Sequence, residues 1–233
     1  MTDRPFAEIL HQAEILHQVA TPASSGNRPA TQAVVEALLQ AEKETQQTRM
    51  LYPITDLVGK WRLCFATGTK RVRRRAGIVL GPGFYLPQWV PAYLEFAPVS
   101  QALQSGTAPE PTPELISPAL ISPANANLGQ NLTIANQLQV GLVTLRLTGP
   151  ARYLGKKNLL AFDFLHLQVQ VLGKTLYDGK FPAPQRAKPF EQLPIGQLPF
   201  FAFFTVTDRY IAARGRGGGL ALWVRSGEPA ENA

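Results

Sequence analysis

Leu57-Val-Gly-Lys-Trp-Arg-Leu-Cys-Phe65 is the stretch from which the rest of this chain is read. Trp61, Leu63 and Phe65 alternate with Arg62, Cys64 and Ala66, a period of two that belongs to a strand with one buried face. Gly59 opens that strand. Near the other end, Phe203-Phe-Thr-Val-Thr-Asp-Arg-Tyr-Ile-Ala-Ala-Arg-Gly-Arg-Gly-Gly-Gly-Leu-Ala-Leu-Trp-Val224 reads as a strand, an acidic turn, a strand carrying Arg214, a glycine turn and a final strand.

Between these ends the same alternation predicts strands over 76–80, 92–96, 132–136, 138–148, 159–172 and 174–181, followed by 200–207, 210–214 and 220–225. Most connections are too short for a helical crossover, so the sheet is expected to be antiparallel. Closing it into a barrel removes the exposed edges it would otherwise leave. Ahead of the first strand, residues 5–19 and 30–46 are rich in helix formers. Pro5 suits a first helical position, Thr31 an N-cap, and Val34, Leu38 and Ala41 share one side of the second helix. The expected organisation is helices over 1–50, a barrel over 51–226 with a proline-rich insertion at 97–127, and a flexible tail at 227–233. The insertion repeats Leu-Ile-Ser-Pro-Ala at 115–119 and 120–124, and its prolines exclude a central strand. Residues 182–199 form a second irregular segment.

A chain of 233 residues, 45% hydrophobic and 17% charged, suffices for one barrel-sized core and not for two full domains. The single cysteine, Cys64, excludes an internal disulfide. The opening Met1-Thr-Asp-Arg-Pro-Phe-Ala-Glu8 lacks the apolar stretch of a secretory signal. The longest apolar run, Leu198 to Val206, is far short of the roughly 18 residues of a membrane-spanning helix. Any membrane attachment is therefore expected to be peripheral.

The net charge of +7 is unevenly placed, because the seven cations between Lys60 and Tyr93 are accompanied by no acid. Five of them, Lys70, Arg71, Arg73, Arg74 and Arg75, fall between two strands. They read as a solvated basic turn, as a contact with an anionic membrane surface, or as a nucleic-acid or protein contact; of these last, nucleic acid is not expected. Gly215-Arg-Gly-Gly-Gly219 lacks the Lys-Ser/Thr and the following helix of a phosphate-binding loop, and reads as a hairpin turn. His11, His17 and His166 do not have metal-ligand spacing, and Cys64 has no cued partner. No catalytic residue, metal or cofactor is expected.

The opening Leu57-Val-Gly-Lys-Trp-Arg-Leu63 and the ending from Asp208 through Arg214-Gly215 to Leu220-Ala-Leu-Trp-Val224 together resemble the PAP/fibrillin family. These are the plastid lipid-associated proteins of chloroplasts and cyanobacteria. The resemblance implies a mainly β fold, a lipocalin-like antiparallel β-barrel preceded by two α-helices. It implies that Trp61 plugs the closed end with an arginine from the last strands across its ring, Arg214 or Arg209. It further implies non-catalytic binding of a hydrophobic lipid or isoprenoid, such as a quinone, tocopherol, carotenoid or acyl lipid. The setting would be the cytoplasmic face of a cyanobacterial thylakoid or a plastoglobule-like lipid globule. Strand alternation then nominates Trp61, Leu63, Phe65, Leu165, Leu167, Val169, Phe201 and Phe203 as ligand-lining residues. Two other readings share these features: a lipocalin-like chromophore lyase or bilin-binding protein, and a basic surface adaptor.

Overall fold

Eight strands close on themselves in simple chain order. In the computed structural model, which describes residues 14–19, 28–72, 77–87, 89–99, 131–182 and 189–226, they are β1 (Gly59–Ala66), β5 (Ala92–Pro98), β6 (Asn131–Val140), β7 (Val143–Leu154), β8 (Leu159–Phe162), β11 (Phe200–Val206), β12 (Tyr210–Gly215) and β13 (Leu220–Arg225). Each pairs antiparallel with the next, and β13 returns to pair with β1. The result is an up-and-down, lipocalin-like barrel. Five further strands decorate one end: the hairpin of β2 (Thr69–Val72) and β3 (Gly77–Leu80), β4 (Phe84–Tyr85) against β1, and an extension formed by β9 (His166–Val171) and β10 (Lys174–Lys180).

One face of every barrel strand fills the interior. Trp61, Leu94, Phe96, Leu132, Ile134, Ala151, Tyr153, Leu160, Phe162, Phe203, Ile211, Ala213 and Trp223 form a single buried cluster. The opposite face of β11, β12 and β13 carries Phe204, Ala212, Leu220 and Leu222, and these bury against the helices. The helices are α1 (residues 14–19) and α2 (Thr31–Thr48), followed by the single turn α3 (Ile54–Leu57). On α2, Val34, Ala37 and Leu38 lie at the three- and four-residue spacing of one helical stripe and are essentially inaccessible. Burying Leu38 alone is worth about 1.5–3 kcal/mol relative to leaving it in water.

Several local expectations are corrected. Thr31 is the first residue of α2 rather than its cap; Ala30 is the N-cap and supplies no side-chain bond. The stretch expected as one strand over 138–148 turns at Gly141-Leu142, where Gly141 has φ 58°, and the second arm continues to Leu154. The stretch over 159–172 is interrupted at Asp163–Leu165, where the register shifts by one residue as the chain passes along the same edge of β7 from its lower half to its upper half. Strands β2 and β4 had no clear alternation to announce them. Residues 182, 189–199 do not form strands but carry short 3-10 turns at Phe190–Gln192 and Ile195–Gln197. Leu193 and Leu198 from this segment cover the outer side of β8. Residues 5–13 of the expected first helix, most of the proline-rich insertion and the tail lie outside the described residues, as do Arg73, Arg74 and Arg75. Lys70 and Arg71 lie on β2.

Strand β7 is the branch point of the sheet. Its lower half, Ala151 to Leu154, pairs with β8 and closes the barrel, while its upper half, Val143 to Thr148, pairs with β9. Gly149 stands at the fork, and a methyl group there would overlap the backbone carbonyl of Asp163 as the chain crosses. Only glycine permits so close an approach of two backbones. Gly149→Ala is therefore expected to destabilise the fold by about 1–3 kcal/mol. Urea unfolding measures this, and an unchanged midpoint would remove the fork from the account.

Candidate functional site

The floor of the barrel is built around Trp61. Its ring is fully buried, and its Nε1–H donates to the Leu57 carbonyl at 2.8 Å, which fixes α3 beneath the barrel. The Arg225 guanidinium lies 4.1 Å from the ring centroid. Arg225 is the direct cross-strand partner of Trp61, and it also donates to the carbonyls of Asp208 at 2.6 Å, Val58 at 3.2 Å and Asp56 at 3.3 Å. The cation over Trp61 is thus neither Arg214 nor Arg209. On β12 Ile211 and Ala213 face inward, so Arg214 faces out. There it forms a two-pronged ion pair with Glu42 on α2 and donates to the Gly218 carbonyl at 2.6 Å. Arg209 meets His17 on α1 at 2.9 Å. Both arginines hold helices onto the outside of the barrel.

A polar latch completes the floor. The Asn158 amide donates to the Met50 carbonyl at 2.7 Å and its oxygen accepts from the Tyr52 N–H at 3.0 Å. Tyr153 donates its hydroxyl to the Tyr52 carbonyl at 2.9 Å, and burial pushes its pKa up to about 12. It therefore remains a neutral donor throughout the ordinary pH range.

Above Trp61 comes a layer of rings. Phe96 meets Phe203 edge-on at 6.1 Å, Phe162 stacks on Phe201 at 5.0 Å, and Phe201 meets Trp223 edge-on at 5.4 Å. Of the expected lining residues, Trp61 and Phe203 are packed into this floor, while Leu63 and Phe201 are only partly buried at its upper surface. Phe65 is a correction. A register shift between Leu63 and Phe65 adds one residue to β1 and turns Phe65 outward, onto the cluster of Val34, Leu38 and Phe204.

Beyond the rings the interior face continues on a tongue of sheet made from the upper parts of β6 and β7 together with β9 and β10. The β6–β7 register runs unbroken, so Leu138, Val140, Val143, Leu145 and Leu147 share the face of Ile134 and Ala151. Pairing of Leu147 with Leu167 and of Leu145 with Val169 places Leu167, Val169 and Val171 on the same side. The other side carries Thr144, Arg146, Gln168, Gln170 and His166. The apolar side is open toward its upper end, with Val140 50% and Leu145 38% exposed, while Leu147, Leu167 and Val169 are half-buried. Leu165, in the crossing from β8 to β9, is 41% exposed. Sequence alternation named Leu165, Leu167 and Val169 but not their β6 and β7 partners, because the turn at Gly141-Leu142 was read through as strand.

Burial pushes the Cys64 thiol up, which disfavours the reactive thiolate. His166 is paired with Asp178 at 2.5 Å on the polar side of the tongue, and the Gln168 hydrogen bond, then His166, holds that carboxyl below its usual range. Among the described residues no group of three or more His, Cys, Asp or Glu side chains gathers at a metal-binding distance. No described helix is long and apolar enough to cross a membrane. Comparison with protein-family models, with curated proteins and with solved structures gives no match.

Double-mutant cycles test the arginine assignments. Arg225→Ala is expected to couple to Trp61→Phe by about 1–2 kcal/mol. Arg214→Ala should couple instead to Glu42→Ala. Urea unfolding of the four single variants and of the Arg225/Trp61, Arg214/Glu42 and Arg214/Trp61 double variants reads these terms, and coupling between Arg214 and Trp61 would reverse the assignment.

Proposed function

We propose that this protein binds a hydrophobic lipid or isoprenoid, without catalysis, on the apolar face that rises from the ring layer onto the tongue. One observation carries the reading: a β extension with one apolar side and one polar side leaves the apolar side uncovered directly above a closed hydrophobic floor. Antiparallel sheets normally bury such a side against a core. Here Trp61, Phe96, Phe203 and Trp223 already occupy the core below it, so the tongue has no chain of its own among the described residues to cover its leucines and valines. A flexible prenyl or acyl chain lying along Leu145, Leu147, Leu167 and Val169 supplies that cover. The resemblance of the two chain ends to the PAP/fibrillin family supports a quinone, tocopherol or carotenoid at photosynthetic membranes or lipid globules. With a net charge of +7, the surface is suited to an anionic leaflet. Phe65 is not part of this site, and Trp61 and Phe203 support it from below.

Titration with a homologous series of prenylquinones, delivered from cyclodextrin in the absence of vesicles, tests the reading. Each methylene taken from water is worth about 0.8 kcal/mol, so affinity is expected to climb with tail length and then level off when the apolar face is covered. Leu145→Asp, at a half-open position, is expected to weaken binding by at least tenfold, about 1.4 kcal/mol, with the fold intact. Affinity independent of tail length would overturn the proposal.

A further inference from the structure

The upper rim of the molecule carries bulky apolar side chains on its turn tips, one of them in a left-handed backbone conformation that favours glycine, asparagine or aspartate. The β6–β7 turn presents Leu142, 64% exposed, and the β9–β10 turn presents Leu172, 69% exposed. Leu172 has φ 52° and is followed by Gly173 at φ 75°. Two-residue hairpins of this kind favour Asn or Asp before the glycine, because a branched side chain in the left-handed region is strained. The two tips are neighbours, with the Leu172 N–H donating to the Leu142 carbonyl at 3.0 Å. Trp89 belongs to the same rim: it is 73% exposed, and the Gln139 N–H next to the β6–β7 turn donates to Pro91 at 3.0 Å. Leu176, at a register shift in β10, is 70% exposed.

We propose that this rim is a membrane-docking edge, in which Trp89, Leu142 and Leu172 enter the headgroup–acyl boundary of an anionic bilayer. Charge favours that occupant. Within residues 137–147 and 167–177 the only charged side chains are Lys174 and Arg146, and Arg146 is paired with Glu95 at 3.5 Å, so the tips carry Lys174 as a cation and no acid in a chain of net charge +7. Tryptophan is the side chain best suited to the boundary, since its ring is apolar and its N–H finds the wet headgroup layer. Shape points the same way. Three side chains standing on turn tips make a wedge, whereas a stable protein interface needs about 800 Å² of matched surface on each partner. Addition of a second copy along the sheet edge is opposed by the register shift in β10 and by Lys174 and Lys180. The polar side of the tongue, with Thr144, Gln168 and Gln170, then faces away from the acyl region. The site differs from the basic segment around Lys70. It concerns the membrane partner of the reading above and does not require a bound isoprenoid.

Flotation with liposomes of phosphatidylcholine containing about one-third phosphatidylglycerol, free of quinone, tests the edge. The parent protein is expected to float, and its emission to shift to the blue and be quenched by nitroxide-labelled lipids. That signal reports Trp89, because Trp61 and Trp223 are 0% and 5% exposed. Leu142→Asp combined with Leu172→Asp is expected to lower partitioning by about tenfold or more. Leu172→Asn should also partition less while melting no lower than the parent, since asparagine suits the left-handed position. Equal flotation of the double variant, or unchanged emission in the bound parent, overturns the proposal. So does a parent that sediments as a dimer and variants that sediment as monomers, which would make the rim an interface between copies. The vesicle-free quinone titration separates the two proposals: lost flotation with quinone affinity retained supports docking, and lost affinity with flotation retained assigns the tips to the ligand and overturns it.

Discussion

Everything in this molecule hangs on the antiparallel seam between the first and last strands of the barrel, β1 and β13. The seam makes Trp61 and Arg225 cross-strand neighbours, 4.1 Å apart as a cation over a ring, and brings the Leu57 carbonyl under the indole N–H. A tryptophan held by a hydrogen bond below and a guanidinium beside it closes one end without leaving an unsatisfied polar group. Closing that end also fixes the other. With the floor occupied by rings, the strands can diverge only at the top, and they do so at Gly149, where β7 leaves β8 for β9.

The fold was legible because alternation survives in the strands that bury one face. Trp61 with Leu63, Leu94 with Phe96, and Ile211 with Ala213 each mark the interior without any structural knowledge. What sequence misplaced were residues next to a change of register. One inserted residue reverses every later side chain, so Phe65 reads as interior in the alternation and is exterior in the barrel. Phe203 and Phe204, adjacent on β11, are both buried because successive side chains face opposite sides, one within the barrel and one beneath the helices, and the register shift that follows turns Thr205 outward beside Ala212.

The arginine error has a different cause. Arg214 sits beside glycines in the segment that carries the family resemblance, yet its neighbours Ile211 and Ala213 already assign the inner face of β12 to odd positions. In Leu220-Ala-Leu-Trp-Val-Arg225 the same parity gives Trp223 and Arg225 the inner face, with Trp223 buried and Arg225 at its exposed end across from Trp61. Reading face before motif identifies Arg225. Arg214 is committed elsewhere, since its bonds to Glu42 and Gly218 tie α2 to the final hairpin. That bond also favours the charged guanidinium, which raises an already high pKa.

The tongue was hidden for a physical reason that bears on function. Hairpins announce themselves when their turns use residues that relieve strain; Gly141 does so in a stretch whose alternation continues on both sides of it, whereas Leu172-Gly173 places leucine where asparagine or aspartate would serve the fold better. A chain selected for stability alone would replace Leu172, because its left-handed backbone costs free energy and its 69% exposed side chain returns none by burial within the described residues. The leucine becomes intelligible when something beyond the described residues covers it, as the proposed docking supplies. The same reasoning applies to Val140, Val143 and Leu145, exposed on a face of the sheet that lies above a core that is already full. A closed floor, an amphipathic extension and two apolar tips, one of them strained, therefore form one arrangement. The barrel supplies a rigid base, the fork at Gly149 lifts the extension clear of it, and the exposed part of that extension is where the proposed apolar partner would lie.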